Sequence, residues 1–248
     1  MAFLSAPRYA VIGQPDAESV TDNIIEWAQE LSSSSYTVLD SGYKYMYDRF
    51  NDRYRYVPLN GDIAGLMVHS SLTAEAWYSP AGLNRGFIQN VVKLTFNPDQ
   101  TARDELYKSR VNPIVTFRGQ GTLLFGDKTL LAKPSAFDRI NVRRLFIMIE
   151  QSILLGSQWA VFEPNDHTLW KKLTRDVRAY LMRVWRSGAL FGATAEEAFY
   201  VKCDTETNPR YLIDAGQVNV QVGICPVKPA EFVIFSIGQW DGGALIEE

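Results

Sequence analysis

Between Asp166 and Ser187 the order of residues allows one regular structure. Trp170, Leu173, Val177, Tyr180, Leu181 and Val184 recur at three- and four-residue steps, so at about 100° per residue they share one stripe of an α-helix. Asn165 and Asp166 offer N-cap side chains, Pro164 stands just outside, and Gly188 follows the last periodic residue. The stripe requires a core to cover it. The opposite face carries Lys171, Arg175, Arg178 and Arg186, with Lys172 and Arg183 on its flank. Those six cations against Asp166 and Asp176 leave a local net charge of +4 in a chain whose total is −3. A basic helix face of this kind is either a solvated surface or a docking face for an acidic partner, and the residues alone leave both readings open.

A second helix precedes it, from about Arg139 to Leu155. Ile140, Leu145, Phe146, Ile147, Met148, Ile149, Ile153 and Leu154 leave little polar face, which predicts burial on more than one side and a place at the centre of a core. The link WAVFEPN, beginning at Trp159, reads as a short strand.

Upstream, Tyr9 to Gly13 reads as a strand, Asp16 to Leu31 as a helix with Ile24, Ile25, Trp27 and Leu31 at helical spacing, and Tyr36 to Leu39 as a returning strand. Together they predict a βαβ unit with a parallel sheet. Tyr43, Tyr45 and Tyr47 alternate, as do Tyr54 and Tyr56 after a polar turn, which predicts a hairpin joined by cross-strand tyrosines. Leu59 to Ser70 reads as a helix, Val91 to Phe96 as a strand, Pro98 to Tyr107 as a helix and Pro113 to Phe117 as a strand. Past Gly192 the chain turns to strands: Phe199 to Cys203, the alternating run Gln217 to Ile224, and Glu231 to Ile237.

The fold class is therefore an α/β first half, a partly parallel sheet with flanking helices, followed by an α+β carboxyl-terminal domain in which two long helices pack on a mainly antiparallel sheet. The boundary falls between residues 133 and 134. At 248 residues, 46% hydrophobic and 21% charged, the chain is long and apolar enough for one large core or two smaller ones.

Chemistry is harder to find. Gly121 and Gly126 with Lys128 and Thr129 approach a phosphate-binding loop. Asp127, however, stands between glycine and lysine where it would repel phosphate, and the residues that follow do not open a long helix. A hairpin with glycine turns accounts for the stretch better. The first βαβ turn, GQPDAES, lacks the GxGxxG pattern. His69 and His167 stand alone, and Cys203 and Cys225 are too far apart for a CxxC site, so no metal or cofactor is expected and both thiols read as reduced core residues. No nucleophile with its base and no paired carboxylates occur at recognisable spacing, so an enzyme is not expected. The acidic balance argues against nucleic acid as a partner, and the longest apolar runs are too short to insert in a membrane.

Several segments taken together resemble the contractile tail sheath proteins of myovirus-type phages. They are VPLNGDIAGL (Val57 to Leu66), WYSPAGLNRG (Trp77 to Gly86) and VNPIVTFRGQGTLLFGDKTL (Val111 to Leu130), with INVRRLFIMIEQSI (Ile140 to Ile153), WAVFEPND (Trp159 to Asp166) and GICPVKPAEFVIFSI (Gly223 to Ile237). Their order and spacing extend over almost the whole chain. The resemblance implies a structural subunit in a virion tail, assembled in the host cytoplasm. Such a subunit stacks around a tail tube and contracts to drive the tube through the host envelope. Its implied partners are other copies of itself, the tail tube protein, and the baseplate and tail-terminator proteins. On this basis residues 1–133 correspond to an α/β sheath domain and 134–248 to the inner sheath domain. Lys171, Arg175, Arg178 and Arg186 become candidate tube-facing residues, and Val218, Val220, Val222, Phe232 and Ile234 candidates for strand pairing between subunits by β-augmentation. Family members extend further at the amino end, so the chain is expected to be the carboxyl-terminal portion of a longer polypeptide. Two other readings stand beside this one: the sheath of a bacteriocin or secretion-type contractile injector, and a cytosolic α/β nucleotide-binding protein or enzyme built on the first βαβ unit.

Overall fold

The computed structural model describes residues 1–231, 240–241 and 244–245. Its amino-terminal layer is a βαβ unit: β1 (Ala2–Ser5), α1 (Arg8–Val11), α2 (Ala17–Glu30) and β2 (Thr37–Asp40). β1 and β2 run parallel, with Ala2 opposite Thr37 and Ser5 opposite Asp40. The unit is the expected one, but its first strand is not. Tyr9 to Gly13 contains the short helix α1 and a bend, and the strand is AFLS, seven residues earlier. Pro7 presets the turn into α1 and Gly13, at φ +88°, leads out of the segment. The ladder to residues some 35 positions away then makes a strand of a four-residue segment with no local signal of its own.

Next come β3 (Tyr43–Asp48), β4 (Arg53–Pro58), α3 (Asn60–Thr73), β5 (Lys93–Leu94), α4 (Gln100–Lys108), β6 (Val111–Asn112), β7 (Ile114–Phe117) and β8 (Gly121–Leu124). β6 adds to β2 in parallel, completing a three-stranded sheet in the order β1-β2-β6. β3 and β4 form the expected tyrosine hairpin, with Tyr45 stacked on Tyr54 at 5.5 Å between ring centroids and tilted on Tyr56 at 4.8 Å. β7 and β8 form a hairpin, as the glycine turns predict in preference to a phosphate loop, and Asp127 beyond it is buried.

Both faces of the parallel sheet are covered, as such sheets require. Leu39 faces Val20, Ile24, Ala28 and Leu106 of α2 and α4, while Val38, its neighbour in the strand, faces Leu59, Ile63, Ile114, Leu124 and Ile140.

The second half holds α5 (Ile140–Gly156), α6 (His167–Arg186), α7 (Ala195–Ala198), β9 (Phe199–Lys202), α8 (Arg210–Asp214) and β10 (Gln221–Ile224). β9 and β10 pair antiparallel, with Val201 opposite Val222; a further short pair joins Trp240–Asp241 to Ala244–Leu245. The architecture is thus mixed α and β with several small sheets. Among the described residues, the antiparallel sheet expected under the helices is this two-stranded ladder. The segment 232–237, read as a final strand, lies outside the described residues, and with it Phe232 and Ile234.

Three expectations need correction here. WAVFEPN is not a strand: Gln158–Ala160 form a 3-10 turn, and Phe162 takes a left-handed φ of +70°. The helix α5 is not buried along its length by its apolar residues. Its first two turns are enclosed, polar residues included, and its last turn leaves Leu154 and Leu155 exposed. Arg143 is held because Ser35 and Tyr36 accept its hydrogen bonds and the Tyr36 and Phe137 rings lie 4.3 and 3.9 Å from its guanidinium carbon. Arg144 donates to Met67 O at 2.7 Å and to the Ser71 hydroxyl. Conversely, Trp77 from the first half is buried among Leu145, Ile149, Val177 and Leu181 of α5 and α6. Cys203 is half-buried beside Leu169 and Trp170, but Cys225 is exposed rather than a core thiol. No helix among the described residues is long and apolar enough to cross a membrane.

Candidate functional site

The best-defined surface feature is the outer face of α6. Asp166 caps its start, accepting from the amides of Thr168 and Leu169 at 2.9 Å each, and this bonding holds its carboxyl below the usual carboxylate range. Leu169, Trp170, Leu173, Val177, Leu181 and Val184 are buried. Tyr180, placed on the same stripe by spacing, lies at its margin and is half-buried. At about 2 kcal/mol per buried apolar side chain, this stripe seats the helix firmly. Trp170 Nε1 donates to Asn165 Oδ1 at 2.8 Å, which sets the angle at which the chain enters the helix.

Lys171, Arg175, Arg178 and Arg186 are all exposed, on one side as the spacing predicts. Their electrostatic states differ. Arg175 pairs with its neighbour Asp176 at 2.9 Å, and Arg178 with Glu196 of α7 at 2.6 Å. Among the described residues Lys171 and Arg186 make no ion pair. A shallow basic groove runs along the first half of the helix between His167, Thr168, Lys171, Lys172 and Arg175.

Beside this groove lies a feature that the sequence reading missed. Leu154, Leu155, Trp159, Val161 and Phe162 form an exposed apolar elbow between α5 and α6, with Phe162 entirely in solvent. Five large apolar residues exposed within nine positions are unusual for a lone surface. The stretch from Trp159 reads as a short strand in the sequence; in the structure Phe162 is left-handed and the run lies exposed.

Of the alternating run Gln217 to Ile224, only Gln221–Ile224 form a strand, β10, and residues 217–220 lead into it without a ladder; the apolar residues of the run are half-buried. Val218 and Val220 pack beside Leu169, Trp170 and Leu173, and Val222 packs with Val177 and Leu181. What β10 leaves open, among the described residues, is its backbone edge opposite β9.

Residues 132–239 match the family described as "Phage tail sheath C-terminal domain". The chain is 36% identical over 246 residues to the tail sheath protein of Vibrio phage KVP40, a match covering 94% of this chain and 36% of that protein. It is 35% identical over 257 residues to the tail sheath protein of Enterobacteria phage T4, covering 100% of this chain and 38% of that one. The chain belongs to the phage tail sheath family. It spans just over a third of the length of these two sheath relatives. Its fold agrees with that of a sheath chain in the contracted sheath complex of an extracellular contractile injection system, at a TM-score of 0.81 and 24% identity, covering 95% of this chain and 62% of that one. Within this sheath chain, the family match takes in α5, α6 and the β9–β10 ladder, the elements that build the basic face and the apolar elbow.

Proposed function

We propose that this chain is the carboxyl-terminal portion of a contractile phage tail sheath subunit, a structural element that polymerises around the tail tube and shortens to drive the tube through the host envelope. The observation that carries the proposal is the 36% identity to a phage tail sheath protein along 94% of this chain. That identity exceeds the 26% to a chain of the anti-feeding prophage baseplate, which favours a phage sheath over the sheath of another injector. No catalysis is assigned to it.

In this reading the exposed face of Lys171, Arg175, Arg178 and Arg186 meets the tube, and the outer backbone edge of β10 receives a strand from a neighbouring subunit. Exposed ionic contacts are individually weak and salt-screened, which suits an attachment that holds before contraction and releases during it. Residues 1–133 form the α/β sheath domain and 134–248 the inner domain; the family match beginning at residue 132 supports that division. Baseplate and tail-terminator proteins complete the set of partners in the virion.

The test is negative-stain electron microscopy of the chain, carried in its full sheath polypeptide, with purified tail tubes at low and high salt. Striated polymers that need the tube are expected. Tubes that remain bare at every salt concentration, with a chain whose melting temperature rises on adding nucleotide, would instead support the nucleotide-binding reading.

A further inference from the structure

The basic face of α6 has a counterpart in the same chain. On α2, Glu18, Asp22, Glu26 and Glu30 are exposed at strict four-residue steps, while Val20, Thr21, Ile24 and Ala28 are buried behind them. Steps of four residues advance by about 40°, so the acids share one gently winding stripe, and at 1.5 Å per residue it is about 18 Å long. Ala17–Glu30 holds these four acids and no Lys, Arg or His, a net charge of −4. The α6 segment carries +4, and its stripe from Lys171 to Arg186 is about 22 Å long. The two faces match in charge and nearly in length.

Nothing within one copy uses the acidic stripe. Among the described residues none of its four carboxylates makes an ion pair. Glu18, in the first turn, sits where the helix dipole favours an acid, but Glu30 lies in the last turn, where a cation is favoured and none is present. Like charges at i, i+4 also repel one another along the helix. A cationic partner outside the copy relieves both effects. That partner is not α6 of the same copy: α2 packs into the core around Leu39 and Leu106, α6 into the one around Leu145 and Leu181, and no ion pair among the described residues joins the two helices.

We propose that the basic face of α6 docks on the acidic face of α2 in a second copy of this chain. Rows at i, i+4 on the two helices can lie along one another at the commonest crossing angle, about −50°. Lys171 and Arg186, which make no ion pair among the described residues, then meet acids in the same condition. A contact between two different faces leaves one of each free, so it can repeat from copy to copy, as a polymer requires. The contact itself needs no tube. Its place in contraction rests on the sheath reading: the same cations cannot serve tube and neighbour at once, so a neighbour's α2 takes them as the tube is given up.

The experiment is sedimentation velocity of the 248-residue chain without tubes. Self-association at about 50 mM salt, weakened at least about tenfold by about 0.5 M, is expected. Asp22→Lys with Glu26→Lys and Glu30→Lys should leave a monomer, as should Lys171→Glu with Arg175→Glu and Arg186→Glu. An equal mixture of the two variants should associate again, because every basic face then meets an acidic one. If either variant fails to fold, carbodiimide coupling in a mixture of isotope-labelled and unlabelled wild-type chain decides, since it should join Lys171 or Lys172 to an acid of α2 in another copy. Carried in the full sheath polypeptide, the α2 reversal should leave tube binding intact, so failure of this contact and failure of the sheath reading are told apart. A chain monomeric at every salt concentration, association untouched by the reversals, or a mixture of folded variants that stays monomeric overturns the proposal.

Discussion

Arg178 Nη2 donates to Glu196 Oε1 at 2.6 Å, so one of the four cations on the outer face of α6 is already held by α7. Lys171 and Arg186 have no such partner among the described residues, and they carry the charge that the face has to offer. Reversing both in Lys171→Glu with Arg186→Glu should abolish tube decoration and leave the melting temperature unchanged. Arg178→Ala should weaken decoration less than the double reversal does. Co-sedimentation with tubes across a salt series, beside thermal melts, checks both outcomes.

Phe162 holds a left-handed backbone at φ +70° with its ring fully in solvent, a geometry that favours glycine. Phe162→Gly should therefore raise stability by about 0.5 to 1 kcal/mol in urea denaturation. If the apolar elbow docks against the tube or a neighbouring subunit, the same change should lower assembly. Stability and assembly moving in opposite directions is the signature to look for.

Asn112 ties three segments together. Its Nδ2 donates to Leu39 O at 2.9 Å and Lys128 O at 2.8 Å, and its Oδ1 accepts from Lys128 N at 2.7 Å, all in a site with no exposure. Asn112→Ala should cost about 2 to 4 kcal/mol, because it leaves buried backbone groups unpaired. Gly126→Ala should also destabilise, since a Cβ there would lie 2.7 Å from Asn112 Oδ1. Denaturation midpoints measure both.

Asp40 is buried, and burial pushes its carboxyl up to about 7 despite the hydrogen bonds donated by Gly42 N and Ser5 Oγ. Between its unfolded value of 3.8 and about 7 the native state retains a proton that the unfolded chain has released. This contribution is fully present below pH 3.8 and is lost as pH rises through about 7, amounting to up to about 4 kcal/mol. Asp40→Asn should flatten the stability profile across that window and make the protein more stable than the unaltered chain at pH 8. The N-cap carboxylates Asp16 and Asp166, held below their usual value, act in the opposite sense and only at the acid end.

Trp77 sits in the core built by α5 and α6 although it comes from the first half of the chain. Trp77→Ala should cost about 3 to 5 kcal/mol. With the halves interlocked, circular dichroism and tryptophan fluorescence should report one shared unfolding transition, and two separated transitions would show independent domains.

How much of this was legible follows the range of the forces involved. The buried stripe of α6, the tyrosine hairpin and the helix α2 are set by local periodicity, and the spacing of their residues placed them. β1 escaped because AFLS becomes a strand only by pairing with Thr37–Asp40, far along the chain. Asn112, Asn141 and Asn208 are buried hubs, yet asparagine in a sequence looks like a turn residue; only the folded chain brings the carbonyls they bond within reach. The basic face was visible as spacing, but its partial neutralisation by Glu196 was not, because that acid lies 18 residues from Arg178 and reaches it through the packing of α7. The elbow is split in the sequence between the end of a helix at Leu155 and a short strand from Trp159, since hydropathy alone does not reveal the left-handed turn at Phe162.

The first turns of α5 are gripped by the amino-terminal half through Arg143 and Arg144, while Trp77 reaches back between the helices. This exchange makes the two halves a mortise and tenon. A push on the outer face of α6 reaches the parallel sheet through α5 by way of these contacts, so the two halves answer a load as one block.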